Sequence, residues 1–224
     1  MAKKSAAGTD RANLLTMLLA HRTFRKEFAA LAREAATPHD PARGAALDDQ
    51  LGLILRGLHL HHTGEDTEIW PLLLRRAPQA APVLDAMEAE HHELDPLIAQ
   101  AGDTSLPLTE RAGVLSELSK RLGAHLDREE REALPLIERH IPAAEWAAIE
   151  ERIMKKLGKD LPDAAGLLMW YASPEERREF FAGIPAILQL MYRLSWRRRY
   201  ARRVARTYGG AAPAAHATPA PAPG

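Results

Sequence analysis

The stretch His61-His62-Thr63-Gly64-Glu65-Asp66-Thr67-Glu68-Ile69-Trp70-Pro71-Leu72 aligns without a gap against His125-Leu126-Asp127-Arg128-Glu129-Glu130-Arg131-Glu132-Ala133-Leu134-Pro135-Leu136, 64 residues later. Each copy sets a histidine and a glutamate four residues apart, follows the glutamate with a second acid, and ends in Pro-Leu. Four residues bring an α-helix round to within about 40° of its starting direction, so imidazole and carboxylate share one face. Two such helices, joined by a lone histidine from each of two more, supply the inward donors of a di-metal centre in a four-helix bundle. His21 and His91 are those lone histidines.

The apolar residues around these positions recur at helical spacing. Leu14, Leu15, Leu18, His21, Phe24, Phe28 and Leu31 define a first helix with Asp10 as its cap, closed by Thr37-Pro38. Leu47, Leu51, Ile54, Leu55, Leu58, His61 and Glu65 define a second that runs to about Arg76, with Pro71 kinking it or starting a new turn. Val83, Leu84, Met87, His91, Leu94 and Ile98 mark the third, with a kink expected at Pro96. Val114, Leu115, Leu118, Leu122, His125 and Glu129 mark the fourth, expected to reach His140 across Pro135. Short connections between four long amphipathic helices predict an all-α, antiparallel up-down bundle.

A shorter helix is expected over 143–157, with Gly158 and Pro162 as a boundary. Residues 163–208 break at Ser173-Pro174 and Ile184-Pro185 into two or three helices. The expected organisation is therefore residues 1–158 as the di-metal bundle with a fifth helix, 159–208 as a helical extension with a basic end, and 209–224 as a disordered Ala/Pro tail.

The 224 residues are 46% hydrophobic and 27% charged, which fits a globular chain rather than a disordered one. Formal charge is zero overall, yet residues 190–208 hold seven arginines and no acid, leaving the remainder net negative by seven. Without cysteine there is no disulfide, iron-sulfur cluster or thiolate zinc site, so any metal is held by nitrogen and oxygen. The N-terminal residues lack the apolar core of a signal peptide, and a cytoplasmic location is expected. Imidazole and carboxylate donors suit iron or manganese. Two carboxylates buried in a bundle without a cation would be costly.

On His21, His61-x-x-x-Glu65, Glu90-His91, His125-x-x-x-Glu129 and the matching trailers, the chain resembles hemerythrin-like proteins of the HHE cation-binding family over roughly residues 10–140. The resemblance implies a non-haem di-iron centre, with manganese or zinc as alternative metals. Glu65 and Glu129 would bridge the ions, and His21, His61, His91 and His125 would be terminal ligands. It implies a protein that binds or turns over dioxygen, hydrogen peroxide or nitric oxide, with catalase-like activity among the options. The alternatives are an oxygen, nitric oxide or redox sensor acting through its C-terminal helices, and a protein of iron storage, delivery or repair. Leu18, Phe24, Leu58, Leu94, Leu122 and Leu126 are expected to form an apolar wall around the centre.

One residue departs from the oxygen carriers of the family: Met87 stands where they have a second histidine, one turn before His91. Asp95, His59, His62 and His92 are the nearby substitutes. The three histidines flank the main face and are expected to be exposed or supporting rather than ligating. His39, His140 and His216 are read as surface or structural residues, and Glu68 and Glu132 as exposed ion-pair partners. The arginines, interleaved with Trp196, Tyr200 and Tyr208, fit peripheral membrane or protein contact through residues 190–208. No nucleic-acid-binding motif accompanies them.

Overall fold

The computed structural model describes residues 11–209. The Asp10 cap, His216 and the tail from Gly210 onward lie outside the described residues. Apart from one bridge between Arg11 and Pro142, every regular element described is helical. The bundle is built from α1 (Leu15–Ala35), α2 (Pro41–Gly64), α3 (Trp70–Arg76), α4 (Ala81–Ala101), α5 (Leu108–Glu132) and α6 (Leu134–His140). Asp40 starts α2 by accepting from the Ala42 and Arg43 amides, and Pro41 takes the first helical position, where its missing N–H is not needed.

The three prolines of the rods behave differently. Pro71 has no N–H for the Thr67 carbonyl, and the second rod widens into a π turn over Glu65–Ile69 before continuing as α3; the Trp70 amide bonds Glu65 O. The wide turn thus falls on Glu65 itself. Pro135 breaks the fourth rod outright: α5 ends at Glu132 and α6 restarts at Leu134, where a continuous helix to His140 was expected. Pro96 is carried inside α4, which runs unbroken to Ala101.

Phe24, Phe28, Leu31, Leu47, Leu51, Ile54, Leu58, Leu94, Leu118, Leu122 and Leu126 form the main core. Leu18 does not join it. It is 41% exposed, because a position about 100° round the helix from buried Met17 faces solvent, whereas Leu19 packs on the C-terminal helices.

Beyond the bundle, α7 (Ala143–Lys156) leads through Gly158, at φ +51, into α8 (Leu161–Tyr171), α9 (Pro174–Ala182) and α10 (Ala186–Met191). A second π turn over Tyr192–Trp196 passes into α11 (Arg197–Tyr208). Ser173 and Glu176 close a capping box at the start of α9. Leu167, Tyr171, Tyr200, Val204 and Tyr208 enter the main core directly. Gly166 lets α8 approach α11, since a Cβ there would collide with the Tyr200 side chain.

Two polar ties hold these helices to α1. Arg22 makes a bidentate pair with Glu176, both contacts 2.8 Å, which pulls the Glu176 carboxyl down to about 2. Fully buried Glu27 accepts from Tyr171 Oη at 2.6 Å, Tyr208 Oη at 2.7 Å and Gln50 Nε2 at 2.8 Å. The basic helix α11 is only partly free: Arg199 forks onto Asp163, and Arg203 donates to Gln50 and to the Asp49 carbonyl.

On α7, burial pushes the Glu150 carboxyl up to about 7, with Thr16 and Trp146 only partly offsetting it. An acid whose folded value is raised favours folding below its ordinary value of 4.5, and that advantage is lost as pH rises through about 7. Glu150→Gln is therefore expected to leave stability at pH 4 nearly unchanged and to raise it by about 3 kcal/mol at pH 8. Urea denaturation at the two pH values measures the difference.

Candidate metal centre

The stacked histidine and glutamate positions bring their donors to one level of the bundle. One ligand atom each from His21, His61, Glu65 and Glu129 lies within 4.8 Å of the others, and the same holds for His62, His91 and His125. Glu65 spans the two groups: Oε1 is 3.1 Å from His61 Nε2, and Oε2 is 3.4 Å from His91 Nε2. Glu129 Oε2 spans them from the other side, 3.3 Å from His21 Nε2 and 3.9 Å from His125 Nε2. His91 Nε2 and His125 Nε2 are themselves 3.1 Å apart. Both glutamates are fully buried, and no histidine of the set except His61 is more than slightly exposed.

Three of the rings are aimed by carboxylates on their outer nitrogens. His21 Nδ1 meets Glu130 at 2.9 Å, His91 Nδ1 meets Asp66 at 2.8 Å, and His125 Nδ1 meets Glu90 at 2.9 Å. Asp66 and Glu130 are the acids that follow the two motif glutamates, so each repeat carries its own Glu and orients the lone histidine of another helix. Arg25 and Arg128 fix Glu130 and Glu90 in turn, at 2.7 Å each. A carboxylate on Nδ1 sets the tautomer and leaves Nε2 as the inward lone pair.

The inward atoms fit cations and little else. His21 Nε2, His61 Nε2, His62 Nε2 and all four oxygens of Glu65 and Glu129 are buried with no hydrogen-bond partner. Buried polar atoms are almost always paired, and each orphan costs about 1–3 kcal/mol. Seven such atoms close together, all of them metal-ligand types, fit cation binding by nitrogen and oxygen.

His62 is buried, which corrects the exposed alternative expected for it from sequence and leaves it inside the cluster. It is 5% exposed, and its ring stacks on His91 with centroids 4.0 Å apart and planes 11° from parallel. Its inward position was legible in the repeat, because its counterpart Leu126 is a core residue. Met87 is fully buried in the apolar cluster that holds Trp70, Leu73 and Leu84. His92 and Asp95 are exposed and pair with each other at 3.6 Å, and His59 is also exposed. Glu68 makes ion pairs with Arg152 and Lys156 of α7, and Glu132 with Arg128 and Arg131.

The protonation pattern follows from burial and proximity. Burial and the adjacent Glu129 drive the Glu65 carboxyl far above its ordinary range. Burial would raise Glu129 as well, but His21 outweighs it and holds Glu129 low. Burial alone would lower His21, yet Glu129 and Glu130 hold its ring up at about 9. His61 and His62 are pushed well down by burial and by the neighbouring rings. Cations entering the site therefore displace protons from His21 and Glu65. Affinity is expected to rise with pH from 6 toward about 9, with net acid release on titrating ferrous iron into weakly buffered protein. An affinity that does not change between pH 6 and 8 would contradict this pattern.

Residues 14–137 match the hemerythrin HHE cation binding domain. That span is more than half of the chain, and the protein belongs to this family. No curated protein and no solved structure gives a significant match. Among the described residues no helix is long and apolar enough to cross a membrane.

Proposed function

We propose that this is a non-haem di-iron protein that binds and reduces or oxidises a small oxidant: dioxygen, hydrogen peroxide or nitric oxide. The observation that carries the proposal is the set of seven buried donor atoms without a hydrogen-bond partner, six of them on His21, His61, Glu65 and Glu129 and the seventh, His62 Nε2, in the adjoining histidine group. His21 and His61 would hold one ion, and His62, His91 and His125 the other, with Glu65 and Glu129 shared. When bound, the ions supply reversible electron exchange with the oxidant. The protein's own part is to fix three ring tautomers through Glu130, Asp66 and Glu90, and to keep water off the donors with Phe24, Leu58, Leu94, Leu122 and Leu126. The side of His21 and His61 would offer its ion fewer protein nitrogens than the side of His62, His91 and His125, leaving more room there for the oxidant.

The test is oxygen evolution from hydrogen peroxide by the iron-loaded full chain. We expect dioxygen release above that of equal free ferrous iron, together with a change in the visible spectrum. Neither response, with rapid loss of the iron to an apo-acceptor, would favour iron delivery over redox turnover.

A peripheral membrane role is favoured by one separate feature. Ile187, Leu190, Met191 and Leu194 recur at helical spacing, yet each is 42–62% exposed. Among the described residues Arg193, Arg197, Arg198, Arg202 and Arg206, on the same rod, have no acidic partner. An apolar stripe running into unpaired arginines suits an anionic lipid surface. Co-sedimentation with phosphatidylserine vesicles, lost in Leu190→Glu/Leu194→Glu, is expected. Equal recovery with neutral vesicles would contradict it.

A further inference from the structure

The two halves of the metal centre are not equivalent on their outer sides. On α4 the residue before His91 is Glu90, which reaches His125; on α1 the residue before His21 is Ala20, which reaches nothing comparable. Ala20 lines a cavity of about 180 Å³ between α1 and α2 on one side and α7 and α8 on the other. The cavity reaches His61 and Glu65, so the C-terminal helices roof a space that opens onto the metal-ligand side chains.

Its wall is almost wholly carbon, from residues such as Phe24, Ile153, Leu168 and Phe180. Besides His61 and Glu65, the lining includes Thr16, Thr23 and Glu150. Thr23 Oγ1 and Glu150 Oε1 are buried and without a hydrogen-bond partner, and neither residue belongs to a metal-ligand group. Apolar cavities of about 150 Å³ bind benzene-sized molecules from water. The unpartnered Thr23 hydroxyl and the one unpartnered oxygen of Glu150, whose carboxyl is otherwise engaged by Thr16 and Trp146, select for a guest that brings its own hydrogen-bonding group.

We propose that this cavity binds a small apolar organic molecule of about six to eight carbons, carrying one hydroxyl or hydroperoxyl group that pairs with Thr23 and Glu150. The guest lies against the His61 and Glu65 edge of the centre. Resting on the di-iron proposal, this names the substrate class as an apolar organic oxidant or alcohol rather than a diatomic alone. Binding itself does not depend on the metals.

The experiment uses the full chain without added metal, labelled with ¹³C-methyl methionine, and cyclohexanol as the probe. Met17 and Met154 line the cavity, whereas Met87 and Met191 do not. Saturable shifts of the Met17 and Met154 methyl signals are expected, with Met87 and Met191 unmoved. Ala165→Phe, which fills the cavity, should abolish the shifts while leaving circular dichroism intact. Thr23→Val, which keeps the shape, should weaken cyclohexanol about fivefold and leave benzene unchanged. Absence of shifts at millimolar probe, shifts centred on Met191, or equal loss of both probes in Thr23→Val would overturn the proposal. A protein that takes up no iron but still shows the methyl shifts would refute the di-iron proposal and leave the cavity standing.

Discussion

Glu65→Leu is expected to abolish loading of the second metal ion and to cut total metal content by at least half, while leaving the metal-free chain as stable as the original or more so. The two effects have opposite signs because the same burial causes both. Glu65 is fully buried with both oxygens lacking a hydrogen-bond partner, and burial together with the neighbouring Glu129 drives its carboxyl far above the ordinary range. Those two oxygens are an expense to the fold alone, about 1–3 kcal/mol for each unsatisfied group. Leucine has a similar volume and no polar atom, so the metal-free variant should gain up to about 3 kcal/mol in urea denaturation. The loss of metal follows from Glu65 being the group that faces both His61 and His91. A purely structural glutamate would behave in the opposite way, with metal content unmoved and stability lowered.

Glu27→Ala should produce the largest loss of stability, about 3–5 kcal/mol. Its carboxylate is the common acceptor for Tyr171 of α8, Tyr208 of α11 and Gln50 of α2. Removing it leaves two tyrosine hydroxyls and one N–H of the Gln50 amide unpaired in the core and opens a void as well. Gln50 is further tied to Tyr200 at 3.0 Å and to Arg203 at 2.6 Å, so the damage should spread along α11. The expected signature is early proteolytic cleavage near Gly158, where φ is +51, releasing the C-terminal helices before the bundle unfolds. Uniform protection across the chain in Glu27→Ala would show that the apolar contacts of Tyr171, Tyr200 and Tyr208 suffice to hold α8 and α11.

Much of this architecture is written in local patterns. The spacing of His61 to Glu65 and of His125 to Glu129 needs only helix geometry to bring each pair onto one face. What escapes a local pattern is whatever depends on neighbouring rods. His62 is one residue from His61 and therefore about 100° round the helix, off the main stripe; its repeat counterpart Leu126 hints that it turns inward, but its stacking on His91 depends on the neighbouring rod. Leu18 misses the core for the same reason in reverse, since the apolar stripe of α1 is split between the bundle and the C-terminal helices. The break at Pro135 and the π turn before Pro71 answer identical chemistry in different ways, and no feature of the two Pro-Leu trailers distinguishes them. Glu27 and its tyrosines, 144 and 181 residues away, are joined only by the tertiary fold.

The most direct measurement is anomalous diffraction at the iron edge from crystals of the full chain loaded with ferrous iron. The di-iron proposal predicts two peaks per chain about 3.5–4 Å apart, one beside His21 and His61 and the other amid His62, His91 and His125, with Glu65 and Glu129 between them. A single peak, or iron bound only at surface carboxylates with His62 turned away, would contradict a paired centre.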